Sequence, residues 1–205
     1  VSSGAIAAAK QFVDIQGIGK DIVGKQALAA IGQPHLMRIL QESFRELNLH
    51  VAQCLLSYMD FENSKTRDNI TNTIDELIAN NYIPVINEND TVAVDEIQFG
   101  DNDILAAICA SYLGVDLLIM ASNTNGLYDE NGKTLEKIQD LSKAKKYIRK
   151  VKSSQGSGGM ESKLQAAELA MEHGIETWLV NGHEEKFLIH AMQRKSKFSS
   201  ITKQN

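Results

Sequence analysis

The sequence predicts an α/β fold, a three-layer αβα sandwich with a mainly parallel sheet, formed by a single domain over residues 1–205. Short, continuous apolar segments of strand length alternate along the chain with longer amphipathic segments of helix length. Continuous apolar strands are covered on both faces, and helices cover the faces of parallel sheets. No internal repeat or linker divides the 205 residues, a length that one core can hold.

Periodicity and boundary residues predict the elements of the first half. Asparagine at both ends favours a helix over 63–80, because asparagine is a good helix cap. Another helix is expected over 25–47, with a kink at Pro34. Its apolar stripe comprises Leu28, Ile31, Leu36, Ile39, Leu40, Phe44 and Leu47. The other expected elements are the end of a strand at 1–2, a helix from residue 4, a loop with Gly17, Gly19 and Gly24, a strand over 50–56 and a short buried strand over 83–87.

The second half continues the alternation. Asp101 is placed to cap a helix that runs to Tyr112 and that Gly114 ends. The other expected elements are a strand over 115–121, a helix over 160–173 stopped by Gly174, and a strand over 176–180. Ligands of such sheets bind beyond the carboxyl ends of the strands. Three polar segments occupy that position: SSGA after Val1, NENDTVA after Ile86 and SNTNG after Ala121.

Charge and composition exclude several classes of protein. A net charge of −5 gives no general reason to expect nucleic acid or an anionic membrane as a partner, because both favour a basic surface. No apolar run approaches the ~20 residues of a membrane-spanning helix. The two cysteines, Cys54 and Cys109, lie among apolar neighbours and imply no disulfide framework. We therefore expect a soluble, cytoplasmic protein.

The charges are unevenly distributed. No Lys or Arg lies between Asp68 and Gly132, yet that segment contains the acidic cluster Glu88, Asp90, Asp95, Glu96, Asp101 and Asp103. Carboxylates packed together repel one another unless a cation is near. The cluster therefore predicts a bound metal ion or a substrate ammonium. The six basic residues of 143–152 favour a solvated helix face.

Two polar motifs are candidates for ligand binding. In GSGGMESK, 156–163, small residues let backbone amides approach an anion, the next helix offers its positive end, and Lys163 adds charge. In the segment 86–103, the amides Asn87, Asn89 and Asn102 can donate and accept, whereas the carboxylates Asp90, Asp101 and Asp103 accept. That mixture suits an amino acid. The alternative is a loop whose side chains satisfy its own backbone.

Other chemistries lack their motifs. The segment 156–163 is not a Walker A loop, and no G-x-G-x-x-G follows a strand, which disfavours a dinucleotide fold. The five histidines form no HExxH motif and no CxxC pair exists, so no zinc site is expected. No G-x-S-x-G motif supports a hydrolase.

Six segments together resemble a known family. VSSGAIAAA, KQALAAIGQPHLM, AQCLLS, IPVINENDTVAVDEIQFGDNDILAA, SNTNGLYDENG and GSGGMESKLQAAELA occur in that order. They closely resemble the glutamate 5-kinases of the amino acid kinase superfamily over nearly the whole chain. The INENDTVA and FGDND pairing is highly specific to that family, whereas the GGM-x-x-K turn is shared more widely. The family phosphorylates the side-chain carboxylate of L-glutamate in proline biosynthesis. The resemblance implies ATP and Mg²⁺ as cofactors, proline as a feedback inhibitor, and a homo-oligomer, either a dimer or a tetramer.

The resemblance also implies roles for individual residues. Ser3, Asp90 and Asn102 would contact glutamate, with Asp90 near its α-ammonium. Asp103 would organise active-site lysines, and Lys163 would stabilise the transferred phosphoryl group. The nucleotide would be contacted by Ser122, Asn123, Ser157, Gly158, Gly159, Met160, Glu161, Ser162 and Lys163. The glutamate carboxylate is already ionised at neutral pH, so the transfer needs positioning and positive charge rather than a general base.

Three departures from the family pattern affect these expectations. The family begins with a strand and a K-x-G-[ST] loop carrying a second phosphate-binding lysine, and this N-terminal segment is absent before Val1. Because losing one preorganised donor typically lowers kcat by ~10² to 10³, we expect this chain alone to be inactive or nearly so. Asn123 stands where the family usually has aspartate, and KFSSITKQN lacks its closing Gly-Thr. Two alternatives stay open: a relative that acts on another acid or a nucleoside monophosphate, and an amino-acid-binding regulatory domain without catalysis.

Overall fold

The computed structural model describes residues 1–12, 21–93, 102–148 and 158–203. The chain divides into two units, Val1–Leu105 and Ala106–Asn205. No helix in these described ranges has both the length and the apolar composition needed to cross a membrane. Gly17, Gly19 and Asp101, which the sequence assigns to a loop and a helix cap, lie outside them.

The first unit places two parallel strands among helices. Its elements are α1 (Ala5–Ala9), α2 (Ile22–Glu46), β1 (His50–Leu56), a 3₁₀ turn (Tyr58–Phe61), α3 (Ser64–Ala79) and β2 (Tyr82–Glu88), and α4 (Asp103–Leu113) begins at its end. Strands β1 and β2 pair in parallel along their whole length, with His50 opposite Tyr82 and Leu56 opposite Glu88. Both strands therefore end at the same edge, and the predicted strand over 50–56 is confirmed.

Asparagine caps define α3 as the sequence predicts. The Asn63 side chain accepts hydrogen bonds from the backbone N–H groups of Lys65 and Thr66, and Asn80 is the C-cap. These bonds satisfy N–H groups that the first helical turn cannot pair internally. The expected helix over 63–80 is confirmed.

Helix α2 begins earlier than predicted. The Asp21 carboxylate accepts a 2.8 Å hydrogen bond from the Gly24 backbone N–H and so caps the helix. Gly24 therefore lies in the first helical turn, and the prediction of a loop at this glycine is wrong. Pro34 lies inside the helix, as expected.

The buried face of α2 differs from the predicted apolar stripe. Ile31 and Ile39 are exposed, and Leu47 lies beyond the helix end. The buried residues are Leu28, which belongs to the predicted stripe, and Ala29, Gly32, Gln33 and Met37, which do not. The reason is the close approach of α1, since a Cβ on Gly32 would stand 1.7 Å from the carbonyl oxygen of Ala5. The face of α2 that packs on α1 needs small residues, and a pattern of large apolar residues does not identify such a face.

The N-terminal residues attach to β2 by hydrogen bonds without forming a strand. The Ser2 backbone N–H donates to the carbonyl oxygen of Ile86 at 2.7 Å, and the Ser2 hydroxyl reaches the same oxygen at 3.3 Å. The predicted strand end at Val1 and Ser2 is therefore wrong. The helix expected after Gly4 is present as α1.

The second unit contains a four-stranded sheet. Its elements are β3 (Leu117–Ser122), β4 (Lys137–Ile138), α5 (Leu141–Ile148), α6 (Gly158–Glu172), β5 (Glu176–Asn181), α7 (Phe187–Met192) and β6 (Ser199–Ile201). The strand order is β3-β5-β6-β4, with β3 parallel to β5, β4 parallel to β6, and β5 antiparallel to β6. The expected strands over 115–121 and 176–180 and the helix over 160–173 are confirmed. The C-terminal KFSSITKQN contains β6.

The basic block forms a solvated helix face where it is described. In α5, Leu141 and Ala144 are buried, whereas Lys143 and Lys146 are exposed. Lys145 forms a 2.6 Å ion pair with Glu168. The prediction for this segment is confirmed, although Arg149, Lys150 and Lys152 lie outside the described residues.

Asp140 caps α5, and the ionised form of its carboxyl group should stabilise the folded chain until acid protonates it. Hydrogen bonds from the Ser142 hydroxyl and the Lys143 backbone lower the pKa of its carboxyl from 3.8 to about 2. Its folded-state pKa is depressed, so its stabilising contribution is complete above pH 3.8 and is lost as the pH falls towards 2. An asparagine side chain also caps helices but does not titrate, so we expect Asp140→Asn to show a smaller fall in thermal midpoint between pH 4 and pH 2.

The other carboxyl groups titrate in both the unchanged chain and Asp140→Asn. The difference between their falls in thermal midpoint therefore reports on Asp140 alone. Circular dichroism melts of both proteins at several pH values measure it. Parallel curves of thermal midpoint against pH would contradict this prediction.

Candidate functional site

A cavity of about 240 Å³ lies in the first unit, where β1 and β2 end. This volume is below the ~300 Å³ at which pockets for drug-sized ligands begin, so it suits a small metabolite. Helix α2, strand β1 and the segment after β2 provide its walls. Its polar lining residues are Gln33, Gln53, Glu88, Asn89, Asp90 and Thr91.

A turn after β2 positions Asp90 at this cavity. The Asn89 backbone N–H donates to the carbonyl oxygen of Leu56 at 2.8 Å, which holds the turn against the end of β1. The N–H groups of Val92 and Ala93 then bond the carbonyl oxygen of Asn89 at 3.0 and 3.1 Å. These bonds hold the backbone on both sides of Asp90, whose side chain is half-buried.

A chain of side-chain amides runs from Asn102 to the cavity. Asn102 Nδ2 donates to the carbonyl oxygen of Ser2 and to Asn87 Oδ1, each at 2.6 Å. Asn87 Nδ2 donates to Gln33 Oε1 at 2.7 Å, and Gln33 Nε2 donates to Gln53 Oε1 at 3.1 Å. Asn87 and Gln33 are only 2% and 8% exposed. Buried amides need such partners, because leaving one unsatisfied costs about 1–3 kcal/mol.

The residues predicted to contact an amino acid differ in their position relative to the cavity. Asp90 lines the cavity directly. Asn102 connects to it through Asn87 and Gln33, whereas Ser3 is exposed beside Ser2. Asp103 is half-buried in the first turn of α4.

Gln33 and Gln53 are polar cavity residues that the sequence analysis did not single out. Both lie inside regular elements, one in helix α2 and one in strand β1, where polar residues usually face solvent. The available signal was the position of Gln33 next to Gly32, since a glycine within a helix can mark a closely packed face. Periodicity alone gave no sign of either residue.

In the second unit, the SNTNG segment forms a hydrogen-bonded loop directly after β3. The Ser122 hydroxyl is 3.4 Å from the Thr124 hydroxyl, which donates to the carbonyl oxygen of Gly126 at 2.9 Å. The Ser122 carbonyl oxygen accepts from the Gly182 N–H at 2.8 Å. Ser122 is half-buried and Asn123 is exposed, so both are held at the end of the strand where a ligand can reach them.

Helix α6 begins with the second half of the glycine-rich motif. Its first turn contains Gly158, Gly159 and Met160, while Ser157 lies outside the described residues. A Cβ placed on Gly159 would meet nothing within 4 Å, so the space beside the backbone there is open. The first N–H groups of a helix have no partner within it, and together with the positive end of this 15-residue helix they make the space suitable for an anion.

The charged residues of α6 follow within its next turn. Lys163 and Ser162 are half-buried, and Glu161 is exposed. The opposite face anchors the helix, because Leu164, Ala166, Ala167 and Ala170 are fully buried. Lys163 therefore projects from a helix whose position is fixed by its core face.

Gly159→Ala should separate anion binding from stability. The added methyl group meets no protein atom within 4 Å and raises helix propensity, so stability should stay equal or rise by up to about 1 kcal/mol. The same methyl group occupies the space an anion needs, so we expect the affinity for a phosphate-bearing ligand, with MgATP as the probe, to fall severalfold. Calorimetric titration and chemical denaturation measure the two effects. Unchanged MgATP affinity would exclude this turn as the phosphate site.

Sequence comparison relates the chain to known proteins. The model of the amino acid kinase family matches residues 1–181. The chain is 42% identical over 191 residues to glutamate 5-kinase of Syntrophotalea carbinolica, covering 90% of this chain and 51% of that protein. It is 37% identical over 209 residues to glutamate 5-kinase of Alkaliphilus metalliredigens, covering 96% of this chain and 77% of that protein. The chain thus spans about half the length of several curated relatives it matches.

Structural comparison supports the predicted fold class. The carbamate kinase from Giardia lamblia bound to AMP-PNP has a TM-score of 0.63 with this chain at 17% identity, covering 98% of this chain and 80% of that one. At this identity the likeness concerns the fold alone. The prediction of an αβα sandwich with mainly parallel strands is confirmed.

Proposed function

The chain belongs to the amino acid kinase family, and we propose that it phosphorylates the side-chain carboxylate of L-glutamate with MgATP, giving L-glutamyl 5-phosphate for proline biosynthesis. The observation that carries this proposal is the small cavity lined by Asp90 and joined through Asn87 to Asn102. The names of the relatives in Syntrophotalea and Alkaliphilus support the choice of substrate. Inhibition by proline and assembly into a dimer or tetramer are parts of the proposal that rest on resemblance.

The chemistry of the transfer requires positive charge and positioning. A glutamate side chain, with an ordinary pKa of ~4.3, is ionised at neutral pH and attacks the γ-phosphate without a general base. The barrier is the approach of one anion to another, which fixed cations and N–H dipoles lower. The N-terminal N–H groups of α6 and the Lys163 ammonium provide such charge in the second unit.

The nucleotide would bring its metal with it. Mg²⁺ in such enzymes is held mainly by substrate phosphates, with one or two carboxylates. Within the described ranges, no group of three or more His, Cys, Asp or Glu side chains could hold a metal ion on its own. We therefore treat MgATP as the substrate, with the phosphates at Gly158–Lys163 and the remaining nucleotide contacts at Ser122 and Asn123.

In the first unit, the proposed roles follow from donor and acceptor chemistry. Asp90 offers a carboxylate to the α-ammonium of glutamate. Asn102, whose Nδ2 hydrogens bond Ser2 and Asn87, retains its Oδ1 as an acceptor for a hydrogen-bond donor of the substrate. The exposed Ser3 hydroxyl can donate to a substrate carboxylate. Asp103 would orient lysine side chains rather than contact substrate.

Ligand binding tests the substrate. Isothermal titration calorimetry of the 205-residue chain with L-glutamate, N-acetylglutamate, L-aspartate and UMP should show the tightest binding for L-glutamate. Preferential binding of N-acetylglutamate or UMP would assign the chain to another activity within the family.

A coupled ADP-release assay tests catalysis. It compares the 205-residue chain with an extended chain, in which residues 1–205 follow the strand and K-x-G-[ST] loop that the resemblance implies. We expect glutamate-dependent ADP release from the extended chain and nearly none from residues 1–205. Binding of glutamate or proline without ADP release by the extended chain would favour a regulatory domain.

A further inference from the structure

The loop after β3 in the second unit is tied back to the sheet by a serine of the C-terminal strand. The loop leaves β3 at Ser122, and the backbone N–H of Leu127 donates to the Ser199 hydroxyl at 2.9 Å. Ser199 belongs to β6, which lies two strands from β3 in the order β3-β5-β6-β4. A residue distant in sequence therefore closes the loop that contains Ser122 and Asn123.

The loop backbone packs directly on β6 at this point. A Cβ placed on Gly126 would overlap the Ser199 hydroxyl and stand 2.6 Å from the Ser199 backbone nitrogen. Gly126 also has a φ of 93°, a conformation that favours glycine. Leu127 and Ser199 are 4% and 0% exposed. Because a buried N–H group needs a partner, Leu127 depends on the Ser199 hydroxyl.

Ser199 is itself held in place by the sheet. It lies opposite Leu179 of β5, and Leu179 lies opposite Met120 of β3. On the other side of β6, the Ser200 backbone N–H donates to the Glu136 carbonyl oxygen at 2.9 Å. Backbone pairing across the sheet therefore fixes Ser199 relative to the strand that leads into the loop.

Two hydroxyl groups link this fixed point to Ser122. The Thr124 hydroxyl donates its one hydrogen to the Gly126 carbonyl oxygen at 2.9 Å. Its oxygen lies 3.4 Å from the Ser122 hydroxyl and can only accept there, so Ser122 is the donor of that pair. The Ser122 oxygen keeps its lone pairs for a ligand. It therefore suits a donor on the ligand, such as a ribose hydroxyl or a base amino group.

We propose that Ser199 is a positioning residue for the nucleotide, which acts through Gly126 and Thr124 to present the Ser122 hydroxyl as an acceptor to the nucleoside part of ATP. Ser199 is fully buried and acts without touching the nucleotide. The inference rests on the proposed function, since it concerns how the nucleotide of that reaction is held.

The neighbouring serine provides a matched control. Successive residues of a strand point to opposite faces, and the Ser200 hydroxyl donates instead to Glu176 Oε1 at 2.5 Å. Ser199→Ala and Ser200→Ala each remove one buried hydroxyl from β6, so both should lower the thermal midpoint. Only Ser199→Ala frees the loop. If the loop then keeps its binding arrangement about a tenth of the time, MgATP affinity falls about 10-fold. In Ser200→Ala it should stay unchanged.

A second ligand distinguishes positioning from a general loss of structure. Magnesium tripolyphosphate has the phosphate chain of MgATP but no nucleoside, so its affinity should be the same in Ser199→Ala and the unchanged chain. Calorimetric titration measures both ligands. Equal losses for the two ligands, or equal losses of MgATP affinity in the two serine variants, would show a structural role and overturn the inference. Unchanged MgATP affinity in Ser199→Ala would overturn it as well.

Thr124→Val tests the same link without touching β6. Thr124 is half-buried in the loop, and valine has nearly its shape but lacks the hydroxyl. We expect MgATP affinity to fall about as much as in Ser199→Ala, with tripolyphosphate affinity unchanged. Full MgATP affinity in Thr124→Val would overturn the inference even if Ser199→Ala did not fold.

The ADP-release assay of the extended chain keeps this outcome separate from that of the proposed function. Ser199→Ala should raise the KM for MgATP about 10-fold with little change in kcat or in the KM for glutamate. An unchanged KM for MgATP, with normal ADP release, would overturn the role of Ser199 alone. MgATP binding that depends on Ser199, without glutamate-dependent ADP release, would support the role of Ser199 and remove the glutamate kinase assignment. Absence of MgATP binding by both chains would overturn the inference.

Discussion

Replacing Gly32 with alanine should destabilise the first unit by at least about 3 kcal/mol and abolish binding at its cavity. The added Cβ would stand 1.7 Å from the Ala5 carbonyl oxygen, 2.7 Å from its carbonyl carbon and 2.8 Å from the Ala9 nitrogen. These atoms belong to the backbone of α1, so no side-chain rotation relieves the overlap. Helix α1 must move away from α2.

The displacement should reach the site because α1 directly follows the N-terminal segment. Ser2 bonds Ile86 through its N–H and accepts from Asn102 through its carbonyl oxygen. Moving α1 pulls on this residue and breaks the anchor of the amide chain. Denaturant unfolding and glutamate calorimetry of Gly32→Ala measure the two effects. Gly159→Ala is the matched control, because a Cβ there meets nothing within 4 Å and should not lower stability.

A small change in stability for Gly32→Ala would contradict the packing of α1 on α2. It would require the two helices to separate by the width of a methyl group without losing buried surface. Interiors packed at crystal density do not yield in this way. The close approach of α1 would then no longer explain the small residues on the buried face of α2.

Elements with local signals were predictable from the sequence. Helix α3 is bounded by asparagine caps, α4 and α6 are followed by glycines with positive φ at Gly114 and Gly174, and β1 is a short, mainly apolar segment. Each of these features depends on residues that are neighbours in the chain. The short strands β4 and β6 lack such signals, since they depend on partners elsewhere in the sheet.

The site was predictable only in part for the same reason. Asp90 and Asn102 belong to a polar motif that is unusual in sequence, and Asp90 does line the cavity. Gln33 and Gln53 are ordinary residues of a helix and a strand, 20 positions apart. Their contact arises from the packing of α2 on β1, which no local pattern encodes. Long-range contacts are therefore what the structure adds.

Lys163→Ala in the extended chain should lower kcat by about 10² to 10³ with little change in the KM for glutamate. Removing one preorganised positive group beside a transferred phosphoryl group typically has this effect. The positive group stabilises the negative charge on the phosphoryl oxygens most strongly in the transition state. The core face of α6 does not include Lys163, so the helix should stay folded in the variant. Steady-state ADP release and thermal melts measure both quantities.

Lys145→Ala is the matched control for charge. Its ammonium is 2.6 Å from Glu168, and both side chains are about half exposed, so the pair contributes less than about 1 kcal/mol and kcat should not change. Lys163→Arg keeps the charge but replaces a compact ammonium with a planar guanidinium, so kcat should recover in part. If Lys163→Ala retains its kcat, the helix N-terminus must supply the stabilising charge alone. The proposed phosphoryl contact of Lys163 would then be wrong, while glutamate binding in the first unit would be unaffected.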